Sequence, residues 1–167
     1  MKSRIALVAV IALIMGSGVG FAQSKNCGVV GTWTHWEDFA WVGVVSPGMN
    51  ATVGQIDMEW ILWDPTIGGA HPLLTTAVRT TGPKGVWEKV NEREYKYTWV
   101  AYGLNAAGAL VYALRAVGVG TIAGCDRFDI TGRLQLFAPN QNIWTDEPVL
   151  WVPIDEFATR MPLVVVQ

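Results

Sequence analysis

The chain has 167 residues, of which 51% are hydrophobic and 16% are charged, and a formal net charge of −2 at pH 7. Removal of Lys2 and Arg4 with the N-terminal leader described below leaves 10 basic against 14 acidic side chains, so the net charge becomes −4. This balance argues against a nucleic-acid partner, which requires clustered positive charge.

Residues 1–22 are predicted to be a secretory signal peptide. After a positive start, residues 5–15 form an apolar run that is too short to span a bilayer. Gly20 and Ala22 then place small residues at the −3 and −1 positions of a cleavage site. We therefore expect cleavage near Ala22, a secreted or periplasmic location, and a single domain over residues 23–167 that does not insert into a membrane.

Cys27 and Cys125 are the only cysteines in the sequence. Export would place them in an oxidising compartment, where a disulfide is the ordinary outcome. Two free thiols or a shared metal ion are the alternatives, although two cysteines without a neighbouring histidine cluster make a poor metal site. We predict a Cys27–Cys125 disulfide and no metal.

The first half of the domain is predicted to contain three strands separated by long loops. These strands are expected over residues 31–37, 51–63 and 74–80. In the first of them Trp33, His35 and Glu37 alternate with their neighbours and therefore share the inward face. Residues 38–50 are interpreted as a long apolar loop ending in a Ser-Pro-Gly turn, with room for a short strand at 40–45.

The second half shows the clearest pattern, four strands joined by tight turns and then a break before a last strand. These strands are expected over residues 86–90, 93–102, 109–122, 127–137 and 150–166. Strict alternation, as in Phe128, Asp129, Ile130 and Thr131, predicts an antiparallel sheet with one buried face. The fold class predicted from the eight strands is all-β, an eight-stranded antiparallel up-and-down barrel, with a β-sandwich as the alternative.

Gly31-Thr32-Trp33, on the first strand of a small exported all-β chain, resembles the opening motif of the lipocalins and the wider calycin group. In that group an arginine near the end of the last strand packs across the tryptophan and closes the base of the barrel. Arg160 is the matching residue in this sequence. The resemblance implies a calycin-like barrel that holds a small apolar molecule, with Arg160 stacked on Trp33.

Aromatic side chains on the inward faces are candidate walls of a ligand cavity, and His35 is the candidate polar group. The predicted ligand-binding residues are Trp33, His35, Trp41, Trp60, Tyr95, Tyr97, Trp99 and Trp144. Two of them, Trp41 and Trp144, lie on the long segments 38–50 and 138–148. Strand direction places both segments at the end of the barrel opposite Cys27, so we expect them to form a lid.

No catalytic motif in the sequence has the structural context that it needs. The leading prediction is an exported binding or carrier protein whose partner is a small hydrophobic molecule, aromatic ligands included, with no cofactor. One alternative is a cofactor-independent cyclase or isomerase, in which His35 acts as general base and Glu37 orients it. The other alternative is a structural secreted domain whose barrel is filled with side chains.

Overall fold

The computed structural model describes residues 27–36, 40–49, 52–62 and 71–161. The predicted signal peptide therefore lies outside the described residues. The strands are β1 (Gly31–Trp36), β2 (Ala40–Pro47), β3 (Val53–Leu62), β4 (Arg79–Thr80), β5 (Lys84–Lys89), β6 (Glu94–Leu104), β7 (Leu110–Gly124), β8 (Arg127–Phe137) and β9 (Leu150–Arg160). The described residues contain no helix with the length and apolar character that crossing a membrane would require.

Eight of these strands form a closed antiparallel barrel, which confirms the predicted fold class. Neighbours around the barrel are β1, β2, β3, β5, β6, β7, β8 and β9, and β9 returns to pair with β1. The order follows the chain, as in an up-and-down barrel. The short β4 lies outside this ring and pairs with the last residues of β6.

The predicted number of barrel strands is right, but one member is wrong. Residues 40–47, interpreted as part of a loop with room for a short strand at 40–45, form the full strand β2, which pairs with both β1 and β3. Residues 74–80, predicted to be a strand, instead begin with a 3-10 turn over Leu74–Thr76. The hydroxyl groups of Thr75 and Thr76 donate hydrogen bonds to the backbone carbonyls three residues earlier, a local arrangement that competes with strand pairing.

Large rings lie over glycines on the inner wall of the barrel. A Cβ atom at Gly120 would overlap the ring of Phe128, and one at Gly103 would overlap the ring of Tyr112. The Tyr97 hydroxyl lies close to Gly118 and Gly132, which pair across β7 and β8. A glycine on one strand thus makes room for an aromatic side chain from another. The interior therefore holds more aromatic rings than it could if every inward position carried a side chain.

Apolar side chains fill the two ends of the barrel to different degrees. At the end reached by the carboxyl termini of β6 and β8, the 3-10 turn inserts Leu74 into a buried cluster. The members of this cluster are Leu74, Ala101, Tyr112, Leu114 and Leu136. Burial of such side chains contributes about 1.5–3 kcal/mol each. The larger cluster, which contains Trp33, Trp41, Trp87 and Tyr97, surrounds a cavity.

The opposite end is closed by the Cys27–Cys125 disulfide and by Arg160, and both predictions are confirmed. Cys27 and Cys125 are bonded, with their Cα atoms 4.1 Å apart. The Arg160 guanidinium carbon lies 4.3 Å from the centre of the Trp33 ring. Its nitrogens donate hydrogen bonds to the carbonyls of Val30 and Cys125, both at 2.9 Å, and to that of Gly28.

Gly31 is required by this closure. Its φ of +148° is disfavoured for side-chain-bearing residues, and a Cβ atom there would overlap the guanidinium of Arg160. The Gly31-Thr32-Trp33 motif therefore has a physical reason: the glycine leaves the space through which the arginine reaches the tryptophan.

Candidate functional site

An aromatic cavity lies inside the barrel, between the filled end and the disulfide end. Its walls carry five tryptophans and two tyrosines, namely Trp33, Trp41, Trp60, Trp87, Trp99, Tyr95 and Tyr97. The other described lining residues are Phe128, smaller apolar residues and one acid, Glu156. The cavity measures about 60 Å³. That is several times the ~10–15 Å³ that one water needs and less than the ~150 Å³ of a cavity that takes benzene.

Most of the polar atoms on these rings are engaged by the barrel wall. The indole N–H groups donate to backbone carbonyls: Trp33 to Val29 at 2.7 Å, Trp87 to Ser46 at 3.0 Å and Trp60 to Thr81 at 3.1 Å. The Tyr97 hydroxyl is directed at the carbonyl of Thr131, 3.4 Å away. These bonds fix the rings and leave mainly carbon surface facing the cavity.

Glu156 is the acidic group of the cavity lining. It lies on the inward face of β9, and its Oε2 accepts a long hydrogen bond of 3.5 Å from the Trp41 indole N–H. The His35 Nε2 is 3.7 Å from the same oxygen. The side chain of Glu156 is 14% exposed, and that of His35 is 2% exposed. The carboxylate therefore stands at the cavity wall with an imidazole behind it.

His35 is held in one orientation by its surroundings. Its Nδ1 lies 2.6 Å from the carbonyl oxygen of Phe157, and since a carbonyl can only accept, Nδ1 carries the proton and donates. The ring stacks on Trp41, with centroids 6.2 Å apart and planes 17° from parallel. This arrangement turns Nε2 toward Glu156, and Nε2 can donate to that carboxylate when both ring nitrogens carry a proton.

Tyr97 is kept neutral by its position. Burial, and to a lesser degree the negative charge of Glu156, raise the pKa of the Tyr97 hydroxyl well above its ordinary value. The ring therefore acts as an uncharged wall of the cavity, with its proton retained at physiological pH.

The structure brings most of the predicted site residues together. Those that line the cavity are Trp33, Trp41, Trp60, Tyr95, Tyr97 and Trp99. Trp41 does so from strand β2, not from a loop, so it is part of the wall and not of a lid. His35 lies behind Glu156 and not at the cavity surface. Glu37, the predicted partner of His35, lies outside the described residues.

Trp144 does not lie over the cavity as predicted. Its side chain is 64% exposed, and its ring lies 5.7 Å from the guanidinium carbon of Arg115. Arg115 donates hydrogen bonds to the side chain of Gln135 at 2.8 Å and to the carbonyl of Ile143. Because Arg115 and Gln135 are paired residues on the outer face of β7 and β8, this contact ties the loop to the outside of the barrel.

Glu156 and Trp87 were missed by the sequence analysis. The signal for Glu156 is the alternation of Ile154, Glu156 and Ala158, which places one carboxylate on an otherwise apolar face. Pro153 obscured that pattern, because proline suggests an interrupted strand. Among the described residues, no group of three or more histidine, cysteine or acidic side chains is placed to hold a metal ion.

Comparison with known proteins adds no relative to this description. No protein-family model matches the chain, and no match was found among the curated proteins or the solved structures. The cavity itself is therefore the basis for proposing a function.

Proposed function

We propose that this protein is an exported small-molecule binding or carrier protein, and that the aromatic cavity holds a compact, mainly apolar ligand. The observation that supports the proposal is a cavity of about 60 Å³ lined by seven tryptophan and tyrosine rings. Packed protein interiors leave few voids larger than one water. A void maintained among fixed rings favours a binding role over that of a filled structural barrel.

A relationship to the calycin barrels and export from the cytoplasm belong to the same proposal. The stacking of Arg160 on Trp33 at 4.3 Å, with Gly31 leaving space for it, supports a calycin-like base. The Cys27–Cys125 disulfide fits an oxidising compartment, as the predicted signal peptide requires. The partner is then a small hydrophobic molecule met outside the cytoplasm.

Filling the cavity is expected to abolish ligand binding. Val45 lines the cavity, whereas the neighbouring Val44 is exposed on the outer face of the same strand. Val45→Phe should therefore reduce xenon binding, followed by the chemical shift of dissolved ¹²⁹Xe, at least about tenfold, or ~1.4 kcal/mol. Native mass spectrometry should also show a co-purified ligand on the wild type that the variant lacks.

Val44→Phe is the matched control, since it adds the same ring to the other side of the sheet. It should bind xenon and retain the ligand like the wild type. A wild type that leaves the xenon shift unchanged would show a filled barrel. A co-purified ligand retained by Val45→Phe would show that the ligand binds elsewhere.

A second candidate function is a cofactor-independent isomerase or cyclase, and the Glu156–His35 pair favours it. A carboxylate at an apolar wall can remove a proton from a substrate carbon and return it at another position, so that the reaction needs no oxidant. His35 would be a positioning residue, since it reaches the cavity only through Glu156. The proton acceptor therefore differs from the one predicted from the sequence.

Deuterium exchange separates the two candidates. An isomerase incubated in D₂O with the molecule identified by native mass spectrometry should transfer deuterium to a carbon of that molecule. Glu156→Gln should slow this transfer by at least about a hundredfold, the lower end of general acid–base contributions. A carrier should return its ligand unlabelled, and that result would exclude proton transfer by Glu156.

A further inference from the structure

Most hydrogen-bond donors on the rings of the aromatic cavity are directed at the protein, whereas its charged group is an acceptor. Five of its seven tryptophan and tyrosine donors are directed at groups of the protein: Trp33, Trp60, Trp87 and Tyr97 at backbone carbonyls and Trp41 at Glu156. Among the described lining residues the charged group is the carboxylate of Glu156, and the Nε2 atom of His35 lies 3.7 Å from it. We infer that the ligand carries a small organic cation, an alkylammonium group, held by Glu156 and the surrounding indole faces. This inference rests on the proposed binding function and specifies its ligand.

Other ligand classes match this lining less well. An anionic ligand would meet the negative charge of Glu156, and among the described residues the cavity lining supplies no lysine or arginine to compensate for its lost hydration. A carbonyl or ether ligand needs a hydrogen-bond donor, and most of the ring donors are already directed elsewhere. An ammonium group instead brings its own donors to the carboxylate, as charge-assisted hydrogen bonds require.

The aromatic composition of the lining suits a cation. Trp60 and Trp99 meet at 77° with centroids 6.0 Å apart, and Trp87 and Tyr95 meet at 77° with centroids 5.6 Å apart. These pairs set the rings at different angles around a lining that includes five tryptophans. Cations are attracted to the faces of aromatic rings, most strongly to tryptophan.

The protein already uses this interaction at one end of the cavity. Trp33 both lines the cavity and carries the guanidinium of Arg160 at 4.3 Å. The size of the cavity limits the second cation to a compact group. Because about 60 Å³ is less than the ~150 Å³ associated with bound benzene, a primary alkylammonium head fits better than a large aromatic amine.

Three probes of similar length test the inference on the wild-type protein. They are ethylammonium, ethanol and acetate, which present a positive, a neutral and a negative head on a two-carbon framework small enough for the cavity. Binding is followed by intrinsic tryptophan fluorescence and by ligand-observed NMR. We expect ethylammonium to bind at least about tenfold more tightly than ethanol, and acetate to bind more weakly than both.

Variants at two adjacent positions, 156 and 155, test whether the preference for a positively charged probe depends on Glu156. Glu156→Gln keeps the shape and an acceptor oxygen but removes the charge, so it should reduce ethylammonium binding at least about tenfold and leave ethanol binding unchanged. Asp155→Asn removes the same charge from the next residue, which is exposed on the outer face of β9. It should bind all three probes like the wild type.

Each outcome bears on the inference. Equal or tighter binding of ethanol, or unchanged ethylammonium binding in Glu156→Gln, would overturn it. If Glu156→Gln does not fold, the comparison of the three probes on the wild type still tests the inference. If xenon enters the cavity but ethylammonium does not, the cationic ligand is excluded while the proposed cavity stands. If neither enters, the inference and the proposed function both fail.

Discussion

Replacing Cys27 and Cys125 together by alanine is expected to lower the free energy of unfolding by up to about 4.7 kcal/mol. The bond joins residues 98 positions apart, so it restrains most of the unfolded domain. Without the disulfide the unfolded chain gains conformational entropy, because the long loop between the two cysteines is no longer closed. The folded state also loses the covalent link at the closed end of the barrel. Urea unfolding of the double variant against the oxidised wild type measures the difference.

The reduced wild type provides the control for this measurement. It should unfold at the same urea concentration as the double variant if the bond, and not the loss of two sulfur atoms, is responsible. Titration of thiols in the unfolded, unreduced protein should find none. Two reactive thiols, or a double variant as stable as the oxidised wild type, would contradict the prediction.

Arg160→Ala is expected to lower the free energy of unfolding by about 3 kcal/mol or more, which for a domain of this size corresponds to roughly 6–12 °C in melting temperature. The guanidinium donates to the carbonyls of Gly28, Val30 and Cys125 and covers Trp33. Burial lowers the pKa of the guanidinium, and Asp126 opposes this shift. Its removal leaves three carbonyls without a charged donor.

Arg133→Ala is the matched control for Arg160→Ala. Arg133 also lies over a tryptophan, with its guanidinium carbon 4.8 Å from the Trp151 ring, but both residues are exposed on the outer wall. Exposed cation–π contacts contribute about 0.5–1 kcal/mol. Arg160→Lys should fall between the two, because it keeps the charge but loses the planar fork. Equal melting temperatures for Arg160→Ala and Arg133→Ala would contradict the assigned role.

The barrel could be predicted from sequence because alternation and hairpin turns are local signals. The strands from Lys84 to Phe137 follow that pattern within a few residues. Residues 40–47 did not, because Ser46, Pro47 and Gly48 resemble a turn although Ser46 and Pro47 are still paired with β3. These residues form a strand because they pair with β1 on one side and β3 on the other, and a local sequence pattern does not contain that information.

The aromatic walls of the candidate site could be predicted from the sequence, but the contact between His35 and Glu156 could not. Inward alternation identified five of the aromatic lining residues, whereas Trp41 was assigned to a lid. The contact of His35 with Glu156 joins residues more than 120 positions apart, through strands that become neighbours only when the barrel closes. His35 was therefore assigned to the acid nearest in sequence, Glu37.

The ladder between β1 and β9 closes the barrel and joins strands from the two ends of the domain. Among the described residues it contains two pairs, Trp33 with Arg160 and Thr34 with Thr159, whereas β6 and β7 share eleven. Hairpins from β5 to β9 can form early from nearby segments, but this seam needs parts of the chain 127 residues apart. Until they meet, the sheet is a curved ribbon with two unpaired edges, open to other chains. Arg160 and the disulfide lie beside this seam, and both favour closure of the ribbon on itself over pairing with another molecule.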